Sequence, residues 1–130
     1  MTVYDSSVLI DYLDGVDEAV EYVNAHVNER AVTPQLVMFE VYQGEVFKSG
    51  PPDFDAVDSA LSWLTVLERT QRQARAGAEL QDALHRHGEP LAARDAFIAG
   101  TAKVLDERLV VADSDFNIDG LTELVAVDFI

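Results

Sequence analysis

Short apolar runs alternate with longer stretches of helical periodicity along the whole chain. Residues 2–4 form a β-compatible run that ends at Asp5, after which Ser6 or Ser7 caps a helix with Val8, Leu9, Tyr12 and Leu13 on its apolar side. Gly15 stops that helix. Residues 17–29 then repeat Ala19, Val20, Val23 and Val27 at helical spacing, with acids and asparagines opposite. Ala31 and Val32 are a brief strand before Thr33-Pro34, which reads as a helix start with a cap and a proline in the first turn. This helix extends to about Lys48 and is broken by Ser49-Gly50-Pro51-Pro52. The pattern continues with a helix over 53–64, a strand over 65–67 and a long polar helix over 71–86 ended by His87-Gly88. An alanine-rich helix over 92–105, an apolar strand over 109–112 and a last strand over 124–128 complete it.

Strands separated by helices imply parallel pairing, because parallel neighbours need crossovers of about a dozen residues or more. Leu109-Val110-Val111-Ala112 is apolar throughout, as a central strand covered on both faces requires. The expected fold is α/β, with a central parallel sheet of four to five strands between helical layers. In such sheets ligands bind beyond the carboxyl ends of the strands, where strand order reverses. Asp5 and Asp113 follow two of those ends.

Composition narrows the chemistry. The 130 residues fit one domain over 1–130, and the absence of cysteine excludes a thiolate nucleophile, a cysteine zinc site and a disulfide framework. No apolar run reaches the ~18–20 residues of a membrane span, and Asp5 stands where a signal peptide carries Lys or Arg. A soluble cytoplasmic protein is expected. Asp and Glu number 24 against 9 Lys and Arg, for a formal charge of -15. With only Lys48 and Lys103 beside seven arginines, the composition resembles that of proteins from a salt-rich, halophilic cytoplasm. In about 1 M salt the Debye length falls to about 3 Å, so long-range repulsion of an anionic partner is screened.

Among so many acids, the informative ones occupy positions where apolar residues belong. Glu40 shares its helical face with Leu36, Val37, Gly44 and Phe47, and Asp95 with Leu91, Ala92, Ile98 and Ala99. Glu21 and Glu79, by contrast, are flanked by polar residues. A carboxylate on an inward face costs several kcal/mol unless something positive compensates. Arg94 adjoins Asp95 but projects about 100° away on a helix. If Asp5, Glu40, Asp95 and one of Asp113 or Asp115 converge, their mutual repulsion favours a divalent ion, and hard oxygen donors suit Mg²⁺ or Mn²⁺. With such an ion bound, the cluster can make a water acidic and stabilise developing negative charge, without a side-chain nucleophile.

Four segments in order resemble the PIN domain family, and within it the VapC-type toxins of type II toxin–antitoxin pairs. They are Asp5-Ser6-Ser7-Val8-Leu9-Ile10-Asp11, Phe39-Glu40-Val41 followed by Gly44, Arg94-Asp95-Ala96-Phe97-Ile98-Ala99, and Asp113-Ser114-Asp115-Phe116. The resemblance implies a three-layer α/β/α sandwich around the parallel sheet and Mg²⁺- or Mn²⁺-dependent endoribonuclease activity leaving a 5′-phosphate and a 3′-hydroxyl. It also implies a homodimer neutralised by a cognate VapB-like antitoxin. Carried over residue by residue, the acidic quartet is Asp5, Glu40, Asp95 and Asp113, with Asp115 competing for the last place. Asp5, Asp95 and Asp113, with Glu40, become the metal ligands. Ser7 resembles the small polar residue that supports the first aspartate and equally fits a helix cap. The chain departs from the family at Val111, where Thr or Ser is frequent.

Arg69, Arg72 and Arg75 recur at three-residue intervals and are candidate RNA contacts, against the alternative of salt bridges such as Arg75 with Glu79. Two other classes fail on their motifs. A receiver domain would carry its phospho-acceptor aspartate after the strand ending at Leu67, and an Asp-x-Asp phosphatase would carry an acid where Ser7 stands. The remaining alternative is a PIN module without toxin activity, or without cleavage, that acts in RNA processing or in protein or RNA binding.

Overall fold

The computed structural model describes residues 1–68 and 70–130. Five strands form one parallel sheet: β1 (Thr2–Tyr4), β2 (Ala31–Pro34), β3 (Leu64–Leu67), β4 (Arg108–Val111) and β5 (Val127–Phe129). Their order is β3-β2-β1-β4-β5. The chain steps outward from β1 to β3, then returns past β1 to lay down β4 and β5, so strand order reverses between β1 and β4. Right-handed crossovers put the helices of the two halves on opposite faces. The first half holds α1 (Ser6–Leu13), α2 (Asp17–Ala25), α3 (Gln35–Val46) and α4 (Phe54–Ala60); the second holds α5 (Gln71–Arg86), α6 (Ala93–Leu105) and α7 (Asp119–Leu124). The expected layered α/β fold is the one observed. Val3, Val32, Leu109, Val110 and Val111 have no exposed surface, as strands covered on both faces require.

Several boundaries differ from those the sequence pattern predicts, each for a local reason. The first helix is capped by Asp5, whose Oδ2 accepts from the Ser7 N–H at 3.2 Å, and not by Ser6 or Ser7. Thr33 and Pro34 finish β2 and do not open the helix. The Thr33 hydroxyl donates to the Tyr4 carbonyl at 2.8 Å across the sheet, so it is not free to cap, and α3 begins at Gln35. The second helix ends at Ala25 because the His26 ring Nδ1 engages the Tyr22 carbonyl at 2.7 Å; Val27 is left 72% exposed. The helix expected over 53–64 is the shorter α4, with Asp53 as its cap. Residues 119–124 are a helical turn that pattern reading misses, since Asp119-Gly120 resembles a turn; Val125 follows it, and its N–H bonds the Leu121 carbonyl at 2.9 Å.

One crossing fixes the helix that carries Asp95. Helices α5 and α6 approach so closely that a Cβ on Gly100 would collide with the backbone N and Cα of Gly77. Only two glycines permit that separation, and α6 in turn packs on β4. Among the described residues, no helix is long and apolar enough to cross a membrane.

Candidate active site

Asp5 is the residue at which β1 becomes α1. Its backbone N–H bonds the Val110 carbonyl of β4 at 3.2 Å, placing it at the reversal of strand order, and it is 1% exposed. Ser7 fixes its carboxylate. The Ser7 hydroxyl donates to Asp5 Oδ2 at 2.5 Å and accepts from the Ala112 N–H at 3.0 Å, tying Asp5 to the end of β4. Ser7 thus hydrogen-bonds the aspartate, and the helix cap is Asp5 itself.

Asp95 lies in the first turn of α6 and is 2% exposed. Glu40 projects from α3 with 17% of its side chain exposed. Its face of α3 is less inward than the spacing suggests, since Phe47 is 79% exposed. Asp113 caps a short 3₁₀ turn over Ser114–Phe116, its Oδ1 accepting from the Asp115 N–H at 2.9 Å. Asp113 is half-buried and Asp115 exposed.

These carboxyls feel one another. Burial pushes Asp95 up to about 6; Arg94 opposes this, and the negative charges of Asp5, Asp113 and Asp115 add to it. Burial likewise raises Asp5, against the opposing hydrogen bonds from Ser7. Glu40 is raised by burial, pulled back by Arg94, and pushed up again by Asp5. Three oxygens, Asp5 Oδ1, Glu40 Oε1 and Asp95 Oδ1, are buried without a hydrogen-bond partner. Orphaned carboxylate oxygens carrying mutual repulsion fit a hard divalent cation in kind. Among the described residues, however, no three His, Cys, Asp or Glu side chains stand as a ready-made metal cage. The positive charge at the pocket is Arg94, which pairs with Glu40 through Nε and lies 3.8 Å from Asp95 through Nη1. On a helical projection Arg94 diverges from Asp95 by about 100°, but its long side chain bends back across the gap.

The candidate RNA-contacting arginines stand elsewhere. Arg72 lines a cleft with Val104 and Leu105, at the far end of α6 from Asp95 and about 15 Å along the axis. Arg75 is exposed and pairs with Glu79 at 3.0 Å. Arg69 lies outside the described residues.

The raised carboxyls bind protons more tightly in the folded chain than in the unfolded one, where Asp titrates near about 4. Their stabilising effect is therefore complete below about pH 4 and is lost as pH rises through about 6 for Asp95. Metal-free protein in chelator should melt at a higher temperature at pH 5 than at pH 7.5; calorimetry across that range checks the sign. Ser7→Ala removes one hydrogen bond from Asp5 and leaves the Ala112 N–H without its acceptor. A loss of about 1–2 kcal/mol in urea unfolding is expected, with Ser7→Thr recovering most of it.

Comparison with known proteins agrees with this fold. The chain is similar in structure to VapBC from Salmonella typhimurium, in a DNA-bound complex, with 18% identity, TM-score 0.81, and 98% of this chain and 96% of that one covered. It is also similar to FitAcB from Neisseria gonorrhoeae, at 20% identity and TM-score 0.78 over 100% of this chain and 97% of that one. A toxin–antitoxin complex from Klebsiella pneumoniae gives 22% identity and TM-score 0.72, covering 92% and 94%. No curated protein matches in sequence. At these identities the structural likeness speaks for the fold, and the sequence match carries the assignment: residues 2–118 match the PIN domain, and the chain belongs to the PIN domain family.

Proposed function

We propose that the chain, a single PIN domain over 1–130, is a VapC-like endoribonuclease that hydrolyses RNA phosphodiester bonds with the help of Mg²⁺ or Mn²⁺. The observation that carries this reading is the pocket in which Asp5, Glu40 and Asp95 each keep a buried carboxylate oxygen without a partner. PIN domains are nucleases, and the acidic positions that such chemistry needs are all filled here, which favours a working enzyme over a module that has lost cleavage.

Asp5, Asp95 and Asp113 would hold the ion, with Glu40 beside them; Asp115, exposed, stands outside this set. A divalent ion so held would make an attacking water more acidic and would stabilise negative charge on the scissile phosphate. The protein's own part is positioning. Ser7 locks the Asp5 carboxylate to β4, so that one oxygen faces the pocket while the other is spent on hydrogen bonds. Glu40, raised by burial, is suited to take the proton that water loses during in-line attack. Attack would break the P–O3′ bond: the phosphate would stay on the 5′ oxygen of one fragment, and the departing 3′ oxygen would take a proton from solvent to become the 3′-hydroxyl of the other.

A homodimer, a VapB-like antitoxin partner and a cytoplasmic, salt-rich setting complete the reading. Likeness to toxin–antitoxin complexes supports the partner, and the charge of -15 supports the setting. A salt-adapted acidic chain should gain stability between 0.1 and about 2 M KCl as self-repulsion is screened. Cleavage of total RNA in high KCl, with Mg²⁺, Mn²⁺ and chelator compared for wild type and Asp5→Asn, tests the activity. Metal-dependent cleavage lost in Asp5→Asn is expected; equal cleavage by both proteins would overturn the proposal.

A further inference from the structure

The acidic pocket contains a cation of the chain's own. Arg94 pairs with Glu40 Oε2 through Nε, lies 3.8 Å from Asp95 Oδ1 through Nη1, and donates from Nη2 to the Ser6 hydroxyl at 3.4 Å. Its side chain is 45% exposed, against 17% for Glu40 and 4% for Asp95. The guanidinium thus sits at the boundary between solvent and the buried acids. It engages one oxygen of Glu40 and leaves Oε1 without a partner.

We infer that Arg94 is the resident counter-ion of this pocket, neutralising Glu40 and Asp95 while no divalent ion is bound and releasing Glu40 when one enters. The inference rests on the reading of the carboxylates as a metal site. A guanidinium and a divalent ion compete for the same negative potential, and two cations side by side repel. Arg94 cannot relieve that repulsion by losing a proton, because a guanidinium stays charged in any protein environment. It can relieve it only by moving, and its exposed stem gives it room to turn toward solvent. Once released, its planar fork of N–H donors matches a phosphate oxygen pair. Admission of the cation and presentation of a phosphate grip are then one movement.

The test measures binding, not turnover. Mn²⁺ is titrated calorimetrically into the intact protein as wild type, Arg94→Gln and Asp95→Asn, at fixed pH and salt. In parallel, the Arg94 Nε–H resonance, assigned by its absence from Arg94→Gln, is followed in wild type as Mg²⁺ is added. Arg94→Gln should bind Mn²⁺ about tenfold more tightly than wild type, the size expected for removing one competing charge at a partly exposed site. The Nε–H resonance should shift or vanish as Mg²⁺ saturates. Unchanged or weaker Mn²⁺ binding by Arg94→Gln, with wild type still binding and Asp95→Asn not, would overturn the role of Arg94 and leave the metal site standing. Wild type that binds no Mn²⁺, with Arg94→Gln equally inert, would overturn both. Should Arg94→Gln fail to fold, Arg94→Lys supplies the assignment, since it also lacks the Nε–H, and the wild-type resonance decides: persistence unchanged at saturating Mg²⁺ rejects the inference.

Discussion

Asp95→Asn should reduce RNA cleavage on the order of a thousandfold, the scale on which a preorganised charge acts at a reacting phosphate, while making the metal-free protein more stable. The two effects have one origin. Folding carries the Asp95 carboxyl into a site that is 2% exposed and faces Asp5 and Asp113, and it lifts the pKa to about 6. At pH 7.5 the group is ionised against that preference, and each pKa unit corresponds to about 1.4 kcal/mol. An amide of the same shape has no charge to desolvate. The variant should therefore gain roughly 2 kcal/mol, or several degrees in melting temperature. It should gain nothing further from Mn²⁺, which is expected to raise the wild-type melting point. Melting of both proteins at pH 7.5 in chelator and in Mn²⁺, beside a cleavage assay, checks both halves. A variant that melts below wild type in chelator and still cuts RNA would show that Asp95 is an ordinary structural acid.

Gly100→Ala should be the most damaging conservative change to the fold. The new methyl would collide with the Gly77 backbone and lie 2.9 Å from the Ala76 carbonyl carbon, none of which is a flexible side-chain tip. Helices α5 and α6 would have to separate along their length, and α6 holds both Arg94 and Asp95. A loss of about 3 kcal/mol is expected, the upper end of overpacking costs and a large share of the roughly 5–15 kcal/mol that holds a typical domain together. Gly120→Ala is the control, because its Cβ meets only the Leu84 Cδ2 tip at 3.2 Å. Urea unfolding of the two variants should show a large shift in midpoint for the first and a small one for the second. Equal shifts would mean that the crossing tolerates a wider separation.

The layered parallel sheet was legible in the sequence because it depends on burial pattern alone. Leu109-Val110-Val111 could only be a covered strand, and the alternation with helical stretches left parallel pairing as the consistent solution. Asp95 was legible for the opposite reason, as a charge set where the pattern demands an apolar residue, and Asp5 because it follows the carboxyl end of the first strand. What escaped was settled by single side-chain hydrogen bonds. Thr33 spends its hydroxyl on a neighbouring strand, His26 takes a helical carbonyl, and Asp5 displaces two serines as the cap. Periodicity carries no information about such choices. Arg94 escaped because helical projection describes Cβ directions, whereas a long flexible side chain can fold back over its neighbour.

Parallel strands have a second consequence. With every strand running the same way, the residues that precede them all gather at the opposite rim, remote from the chemistry. Asn28, exposed in the turn before β2, is one of them. Since the chain has no thiol of its own, a lone cysteine introduced at Asn28 would give a unique attachment point for a dye or a surface tether, leaving the working end free to meet its substrate.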